Sequence, residues 1–194
     1  AYFEEKQMPV QLMGVDSVFG QLTNIEDIIT DGHYEVFDGA FDRAVLGQGL
    51  AWKLGIGAHF IHAIEVYAPK RKGQVNMLRP DVNFNSERCF IAGTFAVNQQ
   101  KYDENLMLVD IDLTRRLLDY DKTEVTALQV GIAEGASIRR AKREITSLLG
   151  DGYLIQDRYE QQEDFFRILR VEKFLTTLLL VFILLIATFN GIGS

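Results

Sequence analysis

Hydrophobic and polar positions alternate in short blocks along most of the chain, and this pattern predicts strands joined by short helices. Arg43–Gly47 (RAVLG) is a short apolar run typical of a buried strand. Gln48–Leu54 has the spacing of a short helix, and the following Gly55 is a residue that commonly ends helices. Residues 63–69 (AIEVYAP) alternate as a strand does and end in proline. A mixed α and β domain is therefore predicted.

The same signals recur before and after this block. Strand character is predicted for residues 9–15, 33–37, 88–97, 105–111, 124–132 and 152–157, and a short helix or turn for residues 24–32. Asp112 is predicted to cap a helix over residues 113–118. Residues 136–150 predict an amphipathic helix that Gly150 ends; its apolar face comprises Ile138, Ala141, Ile145, Leu148 and Leu149.

Residues 70–87 (KRKGQVNMLRPDVNFNSE) interrupt the alternation. They have no sustained apolar period and carry Gly73, Pro80 and several asparagines. The segment is too long for an ordinary turn, so a projecting loop or hairpin is predicted. Two interpretations remain open: a tolerated surface insertion, or an arm that binds a partner, since long loops on rigid scaffolds often carry recognition.

The final apolar run, residues 174–189, contains no charged residue and follows the charged residues 156–173 without a proline or glycine at the junction. This predicts one helix, capped by Asp157, that leaves water and enters a bilayer. Its sixteen residues would reach about 24 Å, short of a hydrocarbon core of about 30 Å, so the start of a truncated membrane span is predicted over residues 174–190. A buried core helix is the alternative.

Composition narrows the classes of partner. The formal charge of −7 argues against nucleic acid, which favours a basic surface. A lone cysteine, Cys89, excludes an internal disulfide framework, and its apolar neighbours predict a buried side chain. The first residues, AYFEEKQMPV, lack the features of a signal peptide. If the domain lies outside the cytoplasm, the export signal is therefore expected outside this sequence.

Candidate chemistry is sparse. Gly47–Gln48–Gly49 and Gly55–Ile56–Gly57 lack the lysine and hydroxyl residue of a phosphate-binding loop, so they are interpreted as packing and helix-ending positions. His59 and His62 could share a helical face, but no further ligand cluster accompanies them. No catalytic, cofactor or metal site is predicted. The cationic positions of the amphipathic helix are interpreted as a solvated face, with contact to anionic lipid as the alternative: Arg139, Arg140, Lys142 and Arg143.

Several segments, taken in order, resemble one family. These are MPVQLMGVD, IEDIITDGHYEVF, RAVLGQGLAWKLGI, FIAGTFAVNQQKYDENLMLVDIDLTRRLL and the closing ATFNGIGS. Together they resemble the periplasmic domain of lipoprotein-releasing ABC permeases of the LolC/LolE type, within the wider group that includes MacB-type exporters. The chain departs from the family where GIGAHFIHAIEV offers Gly57 but no Gly-Asp pair.

The resemblance implies an α+β periplasmic domain over residues 1–173, in two discontinuous subdomains: one includes the strands of residues 9–69 and 88–132, and the other lies nearer the chain ends. A mixed sheet with short helices forms one and a small α/β unit the other, and a long stalk helix runs from them into the membrane segment. It implies a non-catalytic subunit in the inner membrane of a Gram-negative bacterium. Its expected partners are a cytoplasmic ABC ATPase, a second permease subunit in a homo- or heterodimer, and a periplasmic lipoprotein chaperone.

In this reading the domain couples ATP hydrolysis to lipoprotein extraction and handover. The family's chaperone-binding hook lies between two strands, which places Arg79, Pro80, Val82 and Phe84 as its contacts here. In the stalk helix, packing is expected from Phe165, Phe166, Ile168 and Leu169. The alternatives are a MacB-like exporter of small molecules or peptides and a membrane-anchored sensor or regulator.

Overall fold

The computed structural model describes residues 1–3, 6–58, 63–71, 77–150, 152–158, 160–162 and 179–180. They form an α+β structure with a mixed sheet and short helices. The strands are β1 (Tyr2–Phe3), β2 (Lys6–Gln7), β3 (Gln11–Val15), β4 (Ile29–Gly32), β5 (Arg43–Gly47), β6 (Ile64–Pro69), β7 (Phe84–Phe95) and β8 (Leu106–Asp110). The α-helices are α1 (Phe19–Leu22), α2 (Gln48–Leu54), α3 (Gln100–Asp103), α4 (Ile111–Leu118) and α5 (Ile138–Leu149). Short 3-10 helices span Ile25–Ile28, Pro80–Asn83 and Glu160–Gln162.

The chain divides into two compact units, Ala1–Gln129 and Val130–Ser194. The first unit holds the sheet, whose strand order is β2-β1-β6-β7-β5-β8-β3, with β4 also paired to β7. Strand β7 joins the two parts of the sheet. Its first half pairs antiparallel with β6, whereas its second half pairs parallel with β5 and antiparallel with β4. Strands β3 and β8 are also parallel, so the sheet is mixed.

Both faces of the central strands are buried, which explains why β5 and β8 appear as continuous apolar runs. In β5, Ala44 and Leu46 join one core cluster and Val45 joins the other. The first cluster takes in the buried leucines of α2 and α4: Leu50, Leu54, Leu113 and Leu117. The second contains Phe95 and Ile25 with the alternate positions of β8. Because successive side chains of a strand point to opposite faces of the sheet, one strand contributes residues to both core clusters.

The β5–α2 unit confirms the interpretation of its glycines. A Cβ on Gly47 would lie 2.4 Å from the carbonyl oxygen of Asp103, so only glycine allows that close approach. Gly55 ends α2 with φ 78°, and its N–H donates to the carbonyl of Ala51. These glycines therefore serve packing and helix termination.

The cap of α4 differs from the prediction. Asp110, the last residue of β8, is the N-cap, and its carboxylate accepts a 2.7 Å hydrogen bond from the N–H of Asp112. The prediction of Asp112 as the cap was therefore wrong by two residues. The strand stays paired through Asp110, opposite Val15, and the helix begins at the next residue.

Three predicted extended segments are also corrected. Residues 124–132 and 152–157 contain no strand, and residues 33–37 contain only a bridge from Phe37 to Asp42. Alternating apolar residues form a strand only where a partner strand supplies a continuous ladder of hydrogen bonds. In residues 33–37 the hydrogen bonds to neighbouring strands are isolated: the N–H of His33 donates to the carbonyl of Ala92, and the N–H of Arg43 donates to the carbonyl of Val36. The predicted loop 70–87 is shorter than expected, because β7 already begins at Phe84, opposite Pro69.

In the second unit the predicted amphipathic helix is confirmed as α5, which Gly150 follows with φ 71°. No residue of α5 is buried. The long helix that Asp157 was predicted to cap falls outside the described residues after Gln162. Within them, the Asp157 carboxylate accepts from the N–H of Glu160, while the Glu160 carboxylate accepts from the N–H of Asp157, both at 2.9 Å. This reciprocal pair is a capping box at the start of the 3-10 helix. Lys142 of α5 also donates to Glu160.

None of the helices in the described ranges is long and apolar enough to cross a membrane. The predicted membrane segment falls outside those ranges except for Leu179 and Leu180. The four residues predicted to pack the stalk helix lie wholly outside them: Phe165, Phe166, Ile168 and Leu169.

Candidate partner-binding surface at the end of the β6–β7 hairpin

Strands β6 and β7 form an antiparallel hairpin whose stem is fixed in the core. The pairing runs from Ile64 opposite Cys89 to Pro69 opposite Phe84. Ile64, Val66 and Cys89 are fully or almost fully buried, and they anchor the stem to the first core cluster. The alternation seen in the sequence of β6 therefore gives a rigid stem that presents whatever lies beyond Pro69.

The connection between these strands spans residues 70–83. Pairing continues one step past the strands, because the N–H of Lys70 donates a 2.8 Å hydrogen bond to the carbonyl of Asn83. The 3-10 helix Pro80–Asn83 then leads directly into β7. We call residues 77–83 the hairpin end. A short helical turn next to a paired stem gives this segment a defined return path into the sheet.

The hairpin end exposes large apolar side chains. Met77 is 90% exposed and Leu78 is 94% exposed. Full exposure of two adjacent large apolar side chains is unfavourable in water, since covering each would gain about 1.5–3 kcal/mol. Phe84, at the start of β7, is 46% exposed. The segment therefore offers apolar contact area that a partner could cover.

An open groove lies at the loop end of the hairpin stem, with a volume of about 560 Å³. Tyr67 of β6 and Phe84 of β7 line it, together with residues before β3: Ala1, Gln7, Met8 and Pro9. Tyr67 donates through its hydroxyl to the carboxylate of Glu65, which also binds Arg88 across the strands. Those hydrogen bonds lower the pKa of Glu65. The groove thus presents the aromatic rings of Tyr67 and Phe84 next to the loop end of the stem.

Two contacts tie the hairpin to α4 and the chain that follows it. The side-chain amide of Asn85 donates a 3.1 Å hydrogen bond to the carbonyl of Leu117. On the other strand, Arg71 forms an ion pair with Glu124, at 2.5 Å from Nη1 to Oε1. The Arg71 guanidinium also lies 4.8 Å from the centre of the Tyr120 ring. Each strand of the hairpin therefore has its own attachment to the same region.

Three of the four predicted contact residues lie in the hairpin end, and the fourth, Phe84, is the first residue of β7: Arg79, Pro80 and Val82 are the three. Phe84 was predicted in the loop but lies in the strand. Sequence reasoning missed Met77 and Leu78, although two consecutive large apolar residues inside a polar segment are a readable signal. It also missed Tyr67, because alternation alone does not say which strand end faces a groove.

Away from the hairpin end, the shifted pKa values of Cys89 and Asp42 are explained by burial within the fold. Cys89 is fully buried, as predicted, and this burial raises the pKa of its thiol to about 12. Arg116 binds Asp42 at 2.6 Å and Glu87 at 3.3 Å, while burial raises the pKa of Asp42. The chain segment with His59 and His62 is outside the described ranges. Among the residues that the structure does describe, no three His, Cys, Asp or Glu side chains are grouped as a metal site requires.

No model of a known protein family matches the chain.

Proposed function

We propose that the chain is the periplasmic domain of an ABC permease of the LolC/LolE type, which hands lipoproteins from the inner membrane to a periplasmic chaperone. A cytoplasmic ATPase would drive a dimer of permease subunits in a Gram-negative bacterium. The fold would comprise two subdomains and a stalk helix over the region of Phe165 to Leu169, leading into the membrane. The chain itself would act without catalysis. The exposed apolar pair in the hairpin end is the observation that carries the handover role.

The chemistry of the partner supports this assignment. A chaperone that carries acylated proteins must present an apolar surface to hold acyl chains, and such a surface also accepts apolar side chains. Met77 and Leu78 are 90% and 94% exposed, so they can be buried in a partner without first leaving the core. Methionine also adapts to irregular apolar surfaces because it is unbranched and polarizable.

The rigid stem supports the same role. A binding segment on a paired hairpin is ordered before it meets its partner, which lowers the entropic cost of association. Phe84 and Tyr67 extend the apolar surface toward the sheet, where an aromatic anchor is most effective. The hairpin end would make the first contacts with the partner. The groove at the loop end of the stem would then bind the adjoining surface of that partner.

Photo-crosslinking tests the proposal. A photoreactive residue at Arg79 or Phe84 in the complete permease should capture a periplasmic lipoprotein chaperone in cells. The matched control is Trp52 in α2, which is 82% exposed but lies outside the hairpin, and it should capture none. Absence of a crosslink at both hairpin positions while lipoprotein release proceeds would contradict the handover role.

Two other outcomes point to the alternatives. A permease that co-purifies with its ATPase but never contacts a chaperone would favour a MacB-like exporter of small molecules or peptides. A membrane-anchored sensor needs no ATPase, so a chain that purifies without one from mild detergent would favour that class instead.

A further inference from the structure

We infer that Arg71, Tyr120 and Glu124 form a clamp that holds the hairpin end in the orientation that a partner binds. The inference rests on the proposed function only for the nature of that partner. Arg71 follows β6 by two residues, so it sits where the rigid stem gives way to the loop. Tyr120 and Glu124 lie just beyond α4. All three are proposed to act by positioning the hairpin end.

Within the clamp, Arg71 makes two contacts, one with Glu124 and one with Tyr120. Its guanidinium pairs with the Glu124 carboxylate at 2.5 Å, and its plane centre lies 4.8 Å from the Tyr120 ring centre. Arginine suits such a site because its planar group can hydrogen-bond along its edge and contact an aromatic ring with its face. A lysine would keep the charge but lose the fork-shaped donor geometry.

The other half of the clamp is itself fixed to the core. Arg115 donates a 3.3 Å hydrogen bond from Nε to the carbonyl of Glu124, and it also pairs with Asp112 at 2.9 Å. The N–H of Tyr120 donates to the carbonyl of Arg115 at 2.9 Å. Helix α4 is held by the buried Leu113 and Leu117. Arg71 is therefore attached to a turn that is hydrogen-bonded to α4, a helix anchored in the core by two leucines.

The position of the clamp gives it leverage over the hairpin end. The last ladder pair is Pro69 opposite Phe84, and one more hydrogen bond joins Lys70 to Asn83. The returning strand has its own attachment through Asn85 and Leu117. Loss of the Arg71 side chain would remove this attachment of the outgoing strand to the turn after α4, and the end could then pivot about the last ladder pair. With both anchors, the end is held from both strands.

A spin-label distance measurement tests the clamp without any partner. Labels are placed on cysteines introduced at Met77 and at Asp27, an exposed position in the same unit, in the full chain. Native Cys89 is buried, so it stays unlabelled in the folded protein. We expect a narrow distance distribution in the parent and a clearly broader one in Arg71→Ala, with Arg71→Lys between them. An unchanged distribution in Arg71→Ala overturns the inference.

The matched control is Arg88→Ala. Arg88 pairs with Glu65 at 2.5 Å on the stem of the same hairpin, so this variant removes an ion pair without touching the clamp. It should leave the distance distribution unchanged. The charge-reversed pair Arg71→Glu with Glu124→Arg should narrow the distribution again relative to either single variant, a rescue that a merely folding-related role would not produce. Broadening by Arg88→Ala to the same extent would overturn the clamp.

Crosslinking to the partner then separates this inference from the proposed function. In Arg71→Ala, chaperone capture from Phe84 should fall about three- to tenfold, the effect expected for an exposed ion pair with a cation–π contact. Capture should stay normal in Arg88→Ala. Equal capture in all variants, despite a broadened distribution, would overturn the role of the clamp in binding. If the parent captures no chaperone, the proposed function fails, while the distance measurement still decides whether the clamp exists.

Discussion

Truncation of the exposed apolar pair gives the sharpest test of partner binding. In Met77→Ala and Leu78→Ala, each substitution removes three heavy atoms from a side chain that is 90% or 94% exposed in the free protein. Because those atoms contribute almost nothing to the folded core, the free energy of unfolding should stay within about 0.5 kcal/mol of the parent.

The effect on binding is worked from the same exposure. A partner that covers the two side chains gains about 0.8 kcal/mol for each buried methylene-sized group. Complete cover of the truncated atoms is worth about 2.4 kcal/mol per residue, and partial cover about 1–2 kcal/mol. Each variant should therefore raise the Kd for a lipoprotein chaperone about five- to thirtyfold, and the double variant should cost more than either alone.

Titration calorimetry on the complete permease in detergent measures these constants, and urea unfolding of the same samples measures stability. Trp52→Ala is the matched control, since it removes a larger exposed side chain from α2 and should change neither quantity much. If both hairpin variants bind the chaperone as tightly as the parent does, the apolar pair is not part of the interface. A parallel loss of stability would instead show that these side chains pack within the protein.

Further predictions concern stability and its pH dependence. Burial raises the pKa of Cys89 from 9.0 to about 12, so its contribution to stability is complete below pH 9 and is lost as pH rises toward 12. Urea unfolding at about pH 8 and about pH 10.5 should show this loss in the free energy of unfolding, at up to about 1.4 kcal/mol per pH unit. In Cys89→Ala the free energy of unfolding should fall less between the two pH values, and an equal fall in parent and variant would refute the reasoning. Gly32→Ala should destabilise by about 3 kcal/mol or more in denaturant unfolding, because φ is 74° and the new Cβ would lie 2.2 Å from the carbonyl oxygen of Ala92. Gly39→Ala, with φ 88° and open space around it, should cost only about 1–2 kcal/mol, and equal losses would count against the steric argument. Tyr34→Phe should stabilise by about 1 kcal/mol in a thermal melt, since its buried hydroxyl has no hydrogen-bond partner among the described residues; a lower Tm would contradict this.

Local signals located the β5–α2 unit to the residue. The apolar run predicted the strand, the helical period predicted the helix, and Gly55 predicted its end; the side chains of both elements that face the core are buried. The same kind of signal failed at residues 124–132, where alternation predicted a strand. Val125, Leu128, Val130 and Ile132 are exposed there instead. A strand needs backbone partners, and no short-range pattern states whether another strand lies alongside.

The connection between the strands was predictable from the sequence, but its contacts with the rest of the fold were not. The break in alternation after Pro69 located the loop, whereas the predicted partner contacts Arg79 and Phe84 came from the family resemblance and stay a prediction. The clamp was not visible, because Arg71 and Glu124 are 53 residues apart and nothing in either local sequence joins them. The cap of α4 likewise depended on how far β8 stays paired with β3, which is a tertiary fact.

The amino-acid sequence alone therefore determined the α+β class, the β5–α2 unit, the amphipathic α5, the burial of Cys89 and the presence of a long connection after Pro69. These depend on periodicity, glycine and proline, whose effects act within a few residues. Tertiary structure alone decided which strands pair, where β7 begins, that Met77 and Leu78 stand exposed, and that Arg71 meets Tyr120 and Glu124. Those features depend on contacts between residues distant along the chain, whose free energy appears only when the sheet has brought them together.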